Sequence, residues 1–77
     1  MNAPPSVSPR TIAALYAYFR TVAREGIVQR EQRDLAKEVG RSQTVVCHAA
    51  AMLQSKGLIV RERVGRRMRY RITPSGQ

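Results

Sequence analysis

Apolar residues recur along this chain with two different periods. In the first third they fall three and four apart, at Ile12, Leu15, Tyr16, Phe19, Val22 and Ala23, which predicts an amphipathic helix with that stripe in the core. Ser8 before Pro9 supplies its start: a hydroxyl to cap the first N–H groups, then a ring whose fixed φ suits the first turn. The helix is expected to end near Glu25, with Gly26 as its stop. Tyr18 lies off the stripe, at a surface or contact position. Ile27 and Val28 are too short a pair for an independent strand, but they can add a minor third strand to a later hairpin. A second helix is expected over 31–39, with Leu35, Ala36 and Val39 inward and Arg33, Lys37 and Glu38 in water. It lacks a strong cap, although Glu31 and Asp34 place negative charge at the positive end of its dipole.

Gly40 ends that helix, and Ser42 caps a third over 43–56. Its buried side is Val46, Ala49 or Ala50, and Leu53, with Met52 flanking. Gly57 closes it, and the period then switches to two. The run LIVRERV-GRR-MRYRIT reads as a β-hairpin. In its second arm Met68, Tyr70 and Ile72 alternate with Arg67, Arg69 and Arg71, so one face packs on the helices and the other carries guanidinium groups. These elements predict one domain over 8–73, mainly α with a small β-hairpin (α+β), between flexible tails at 1–7 and 74–77.

Composition narrows what such a domain does. A chain of 77 residues buries only about 60–65% of its unfolded surface, which leaves little room for an enclosed substrate pocket. No paired carboxylates, activated nucleophile or Gly-rich phosphate loop is visible, so an enzyme is not expected. The 14 Lys and Arg against 5 Asp and Glu give a formal charge of +9, costly in self-repulsion without a polyanionic partner. All but Lys37 and Lys56 of the basic residues are Arg, which suits bidentate phosphate and guanine contacts. Cys47 is the only cysteine and His48 the only histidine, so neither a disulfide nor a metal site is expected, and no cofactor is implied. No apolar run approaches the length of about 20 residues that spans a membrane. The N-terminus lacks a signal-peptide pattern. The expected location is therefore the cytoplasm, in association with the nucleoid.

The order helix, helix, helix, hairpin resembles the winged helix-turn-helix family, over nearly the whole chain. The resemblance is most specific at Leu35-Ala36, Glu38, Val39-Gly40, Ser42, Val46, Leu53 and Lys56-Gly57-Leu58-Ile59. The basic hairpin is similar to the wing of small bacterial MarR-like and ArsR-like regulators. Arg41 stands where the family often has a small apolar residue, and Ala50 where it often has Leu. The helices those proteins use to dimerise are absent from this sequence. The resemblance implies a three-helix fold with a two- or three-stranded antiparallel wing, a third helix that enters the major groove of double-stranded DNA, and a wing on the backbone or minor groove.

The residue chemistry supports those roles independently. A major groove admits one α-helix, read by residues near the helix start. There Gln43 can pair bidentately with adenine, Thr44 can touch a thymine methyl, and His48 can donate to guanine or phosphate. Arg41 can add a phosphate contact at the corner, and Ser42 can offer its backbone N–H to a phosphate. Cys47 is either a small, soft contact or a solvated helix residue. Arg61, Arg63, Arg66, Arg67, Arg69 and Arg71 belong to the wing, as cations for the backbone or as a solubilising strand face. The expected function is a sequence-specific transcriptional repressor, with a homodimer on a palindromic site as one assembly. The competing readings are a replication, recombination or architectural DNA-binding factor, and a protein-interaction module.

Overall fold

The computed structural model describes residues 7–74, so most of each expected tail, residues 1–6 and 75–77, lies outside the described residues. The element order is α1 (Pro9–Val22), β1 (Ile27–Arg30), α2 (Gln32–Val39), α3 (Gln43–Ser55), β2 (Ile59–Val64) and β3 (Arg67–Ile72). The three strands form one antiparallel sheet in the order β1-β3-β2. The pair Ile27-Val28 thus belongs to the third strand, on the far side of β3 from β2.

The stripe of α1 is buried at Leu15 and Phe19, with Ile12, Tyr16, Val22 and Ala23 half-buried around them. Phe19 stacks on Tyr70 at 4.7 Å between ring centroids, which seats α1 on the central strand. Leu35 and Ala36 of α2 meet Val46, Ala49, Ala50 and Leu53 of α3 in the same core, closed by Val28 and Ile59 of the sheet. Ala49 and Ala50 are both wholly buried. With only methyl groups there, α3 fits against both other helices.

The end of α1 differs from expectation. α1 stops at Val22, because Ala23 is already extended (ψ 139°). Arg24 and Ile27 exchange both backbone hydrogen bonds, at 2.9 and 3.0 Å, around Glu25 and Gly26. Those two residues have φ of 55° and 77°, the paired positive values of a type I′ turn, whose twist feeds directly into a strand. Gly26 is therefore the second corner of the turn that launches β1, not the helix stop. Glu25 carries the strain, because a side chain with a Cβ costs about 1–2 kcal/mol in the left-handed region and Asn tolerates it best. Glu25→Asn should raise stability by about 0.5–1 kcal/mol, read as a higher urea midpoint at unchanged slope. A lower midpoint would mean that the Glu25 side chain holds the turn.

Both ends of the expected domain are tied to the core. Val7 packs against the core. Thr73 donates from its N–H to Leu58 O at 3.0 Å and from its hydroxyl to Gly57 O at 2.6 Å, fastening the end of β3 to the exit of α3.

Candidate nucleic-acid interface

The corner between α2 and α3 sets the direction of α3. Gly40 has φ 77°, a conformation that favours glycine. In it the N–H groups of Gly40 and Arg41 both donate to Ala36 O, at 2.9 and 3.0 Å. The chain turns within two residues, and the Ser42 hydroxyl accepts the Val45 N–H at 3.2 Å to cap α3. Arg41 is exposed, with its own Nη1 donating to Gly40 O at 3.1 Å.

α3 then presents Gln43, Thr44 and Cys47 to solvent and leaves His48 half-buried. With Gln32, the first residue of α2, these four side chains line one shallow hollow of about 310 Å³. α3 carries no Asp, Glu, Lys or Arg. Its exposed start is a surface of amide, hydroxyl, thiol and imidazole groups, able to accept and to donate hydrogen bonds.

The hairpin is strapped to α3 by its first strand. Gln54 Oε1 accepts the backbone N–H of Arg61 at 2.9 Å. The Arg61 guanidinium reaches back along α3, with Nη1 3.4 Å from Cys47 O and 3.9 Å from Cys47 Sγ. Cross-strand partners share a face of a sheet. Arg61 pairs with Tyr70 and Arg63 with Met68, so both lie on the face that meets the helices. Arg67 and Arg69 pair with Val64 and Glu62, and Arg71 with Val60, on the opposite face. The wing arginines thus occupy two surfaces, not one continuous ladder.

Their surroundings differ as well. Arg69 Nη1 is held by Glu62 Oε1 at 3.2 Å, and its Nε is buried with no hydrogen-bond partner among the described residues. Arg67 shares a hollow of about 270 Å³ with Arg30, Glu31 and Asp34. Gly65 and Arg66 form the two-residue tip, with positive φ only at Gly65 (62°), the pattern of a type II′ turn. Arg66 and Arg63 are exposed, and neither forms an ion pair among the described residues.

Sequence reasoning singled out neither Gln32 nor Gln54. Gln32 carries a polar amide at the entrance of a helix, a signal visible in the sequence but shared with many surface residues. Gln54 leaves no such signal, because its role depends on where β2 crosses α3. Behind this surface Tyr18 donates to Glu38 Oε1 at 2.6 Å, and Arg30 Nε lies 3.6 Å from Glu38 Oε2, bracing α1, α2 and β1 together. Partial burial and the bond to Glu38 raise the Tyr18 phenol above its ordinary pKa. Burial does the same for Tyr70.

No protein-family model matches the chain, and no curated protein matches it in sequence. Solved structures do match. The YusO protein from Bacillus subtilis superposes with a TM-score of 0.66 at 20% identity, over 91% of this chain and 48% of its own. The transcriptional regulator BldR from Sulfolobus solfataricus gives 0.61 at 26% identity, over 91% of this chain and 48% of its own. The fold is a winged helix-turn-helix. In winged-helix terms α2 and α3 are the helix-turn-helix, the loop between β2 and β3 is the wing tip, and β1 is the third strand. This chain spans about half the length of either structure. No helix among the described residues is long and apolar enough to cross a membrane.

Proposed function

We propose that this chain binds double-stranded DNA sequence-specifically, in the cytoplasm and in association with the nucleoid, as a transcriptional repressor. The observation that carries the reading is the strap between α3 and β2, which places an uncharged, polar helix start beside a strand that leads to exposed arginines. Gln43, Thr44 and His48 read base edges in the major groove, with Cys47 as a small contact between them. Ser42 and Arg41 hold phosphate at the corner. Arg63, Arg66 and Arg67 meet the backbone or the adjacent minor groove, where narrow A·T tracts carry enhanced negative potential. Arg61 positions the wing on α3. Arg69 contributes charge from the outer face, where Glu62 holds it. On a palindromic site two copies would place their third helices about 34 Å apart.

Selection of bound duplexes from a random library, followed by titration across salt, tests this reading. One enriched motif is expected, with log affinity falling against log salt at a slope of about −4 to −5 for four to six phosphate contacts. The mass of the complex gives one or two chains per site. Equal affinity for unrelated duplexes would make the protein an architectural binder, and a flat salt response would remove the phosphate contacts altogether.

A further inference from the structure

A second basic surface lies outside the strapped wing, just before the start of α3. The groove between the start of α1 and the α2–α3 corner is open, about 750 Å³, and lined by Ser8, Arg10, Thr11, Ala13, Ala14 and Arg41. It brings together two arginines separated by thirty residues of sequence, with no carboxylate in its walls. The five acidic residues are Glu25, Glu31, Asp34, Glu38 and Glu62, so none lies on α1, on α3 or at the corner between α2 and α3. Arg10 is exposed and forms no ion pair among the described residues. Arg41 spends one donor on Gly40 O, which leaves most of the guanidinium fork for a ligand. Ala13 and Ala14, both exposed, raise nothing taller than a methyl group between them and solvent. A shallow groove with guanidinium groups and hydroxyls, a low floor and no opposing acid suits an oxyanion on a broad polymer better than a free small molecule.

Position decides which polymer. Gln54 meets β2 near the far end of α3, and Arg61 reaches from β2 back to Cys47, so the strapped strand runs along α3 from its last turn to its second. Arg41 immediately precedes the Ser42 cap, so the groove flanks the near end. A helix of 13 residues is about 20 Å long, at about 1.5 Å per residue. The major groove is about 12 Å wide, so a helix of this length that crosses it at an angle has a phosphate strand within reach at each end.

We propose that Arg10 and Arg41 form a second backbone-phosphate site, which grips the DNA strand on the opposite border of the major groove from the wing. The proposal rests on the DNA-binding reading above and adds α1 to the contact surface. Clamping both borders fixes the angle of α3 in the groove, which a wing on one side alone leaves free to rock. Contacts of this kind carry no base information, so they act alike on every sequence.

The test compares the full chain with Arg10→Ala and Arg10→Lys on the selected duplex and on an unrelated one, across salt, with thermal melts to confirm equal folding. Arg10→Ala should reduce the salt slope by about 0.9, the value of one phosphate contact. It should weaken both duplexes by the same factor, about tenfold at 0.1 M salt given that slope change, and Arg10→Lys should restore most of the loss. Ethylation interference on the complex with the unaltered chain should independently mark phosphates on both borders of the groove. An unchanged slope for Arg10→Ala, or interference confined to the wing side, overturns the proposal while DNA binding by the unaltered chain stands. Absence of salt-dependent binding by the unaltered chain overturns both.

Discussion

Replacing Phe19 with alanine should take away about 3–5 kcal/mol of folding free energy, the usual result of emptying a wholly buried aromatic site. Domains of this length have about 4–11 kcal/mol in all, at roughly 0.05–0.15 kcal/mol per residue. The variant should therefore lose from about a quarter to all of its stability, read as a large fall in the urea midpoint. Phe19 is 0% exposed and lies 4.7 Å from the ring of Tyr70, so the side chain fills the space between α1 and the central strand. Neither neighbour can collapse into the void, because Tyr70 is fixed on both sides by β1 and β2. Urea unfolding followed by circular dichroism measures the loss. A cost below about 1 kcal/mol would mean that α1 is not seated on the sheet by this pair.

The positions that carry this stability were the easiest to read. Phe19, Leu35, Val46, Leu53 and Tyr70 announce themselves because burial imposes a period on the sequence, and the period differs between helix and strand. The α2–α3 corner was equally legible, since Gly40 and Ser42 each have a single strong backbone reason to be there. What stayed hidden depended on register or on contacts distant along the chain. Gly26 fits a helix stop and a type I′ turn equally well, and only the partner bonds between Arg24 and Ile27 decide between them. The alternation of Arg67, Arg69 and Arg71 with Met68, Tyr70 and Ile72 gave their face correctly, but the faces of Arg61 and Arg63 follow from the pairing of Val64 with Arg67 across a two-residue loop. A slip of one residue would exchange those two, and Gly65-Arg66-Arg67 permits either register on paper. The straps from Gln54 and Arg61 to their partners join residues seven and fourteen positions apart in different elements. No local pattern encodes such a crossing. The candidate site was therefore legible as a set of residue types and one strand face, while the strapping of β2 to α3 was not.

Its exposed arginines make the wing the place where substitution should weaken DNA binding most. Changing Arg63, Arg66 and Arg67 together to alanine removes three candidate phosphate contacts and should flatten the salt slope by about 2.7, at 0.9 per contact. Relative to a 1 M reference, the same change amounts to about 10²–10³-fold in affinity at 0.1 M salt. The loss should be equal for the selected duplex and for an unrelated one, as expected of the proposed backbone contacts. Gln43→Ala should behave in the opposite way. It leaves the slope unchanged and lowers discrimination at one base pair by about 1–3 kcal/mol, the worth of a bidentate contact to adenine. Arg67 shares the outer face but borders the tip; the part of that face farther from the tip supplies the control. Arg69 is held by Glu62 and Arg71 lies on the same surface, turned away from α3, so Arg69→Ala or Arg71→Ala should move the slope by less than one contact. All of these wing positions but Arg69 are exposed, so Arg69→Ala alone needs a thermal melt to separate affinity from folding. If Arg71→Ala flattens the slope as much as Arg66→Ala does, the duplex lies against the outer face of the sheet, and α3 is not the helix in the groove.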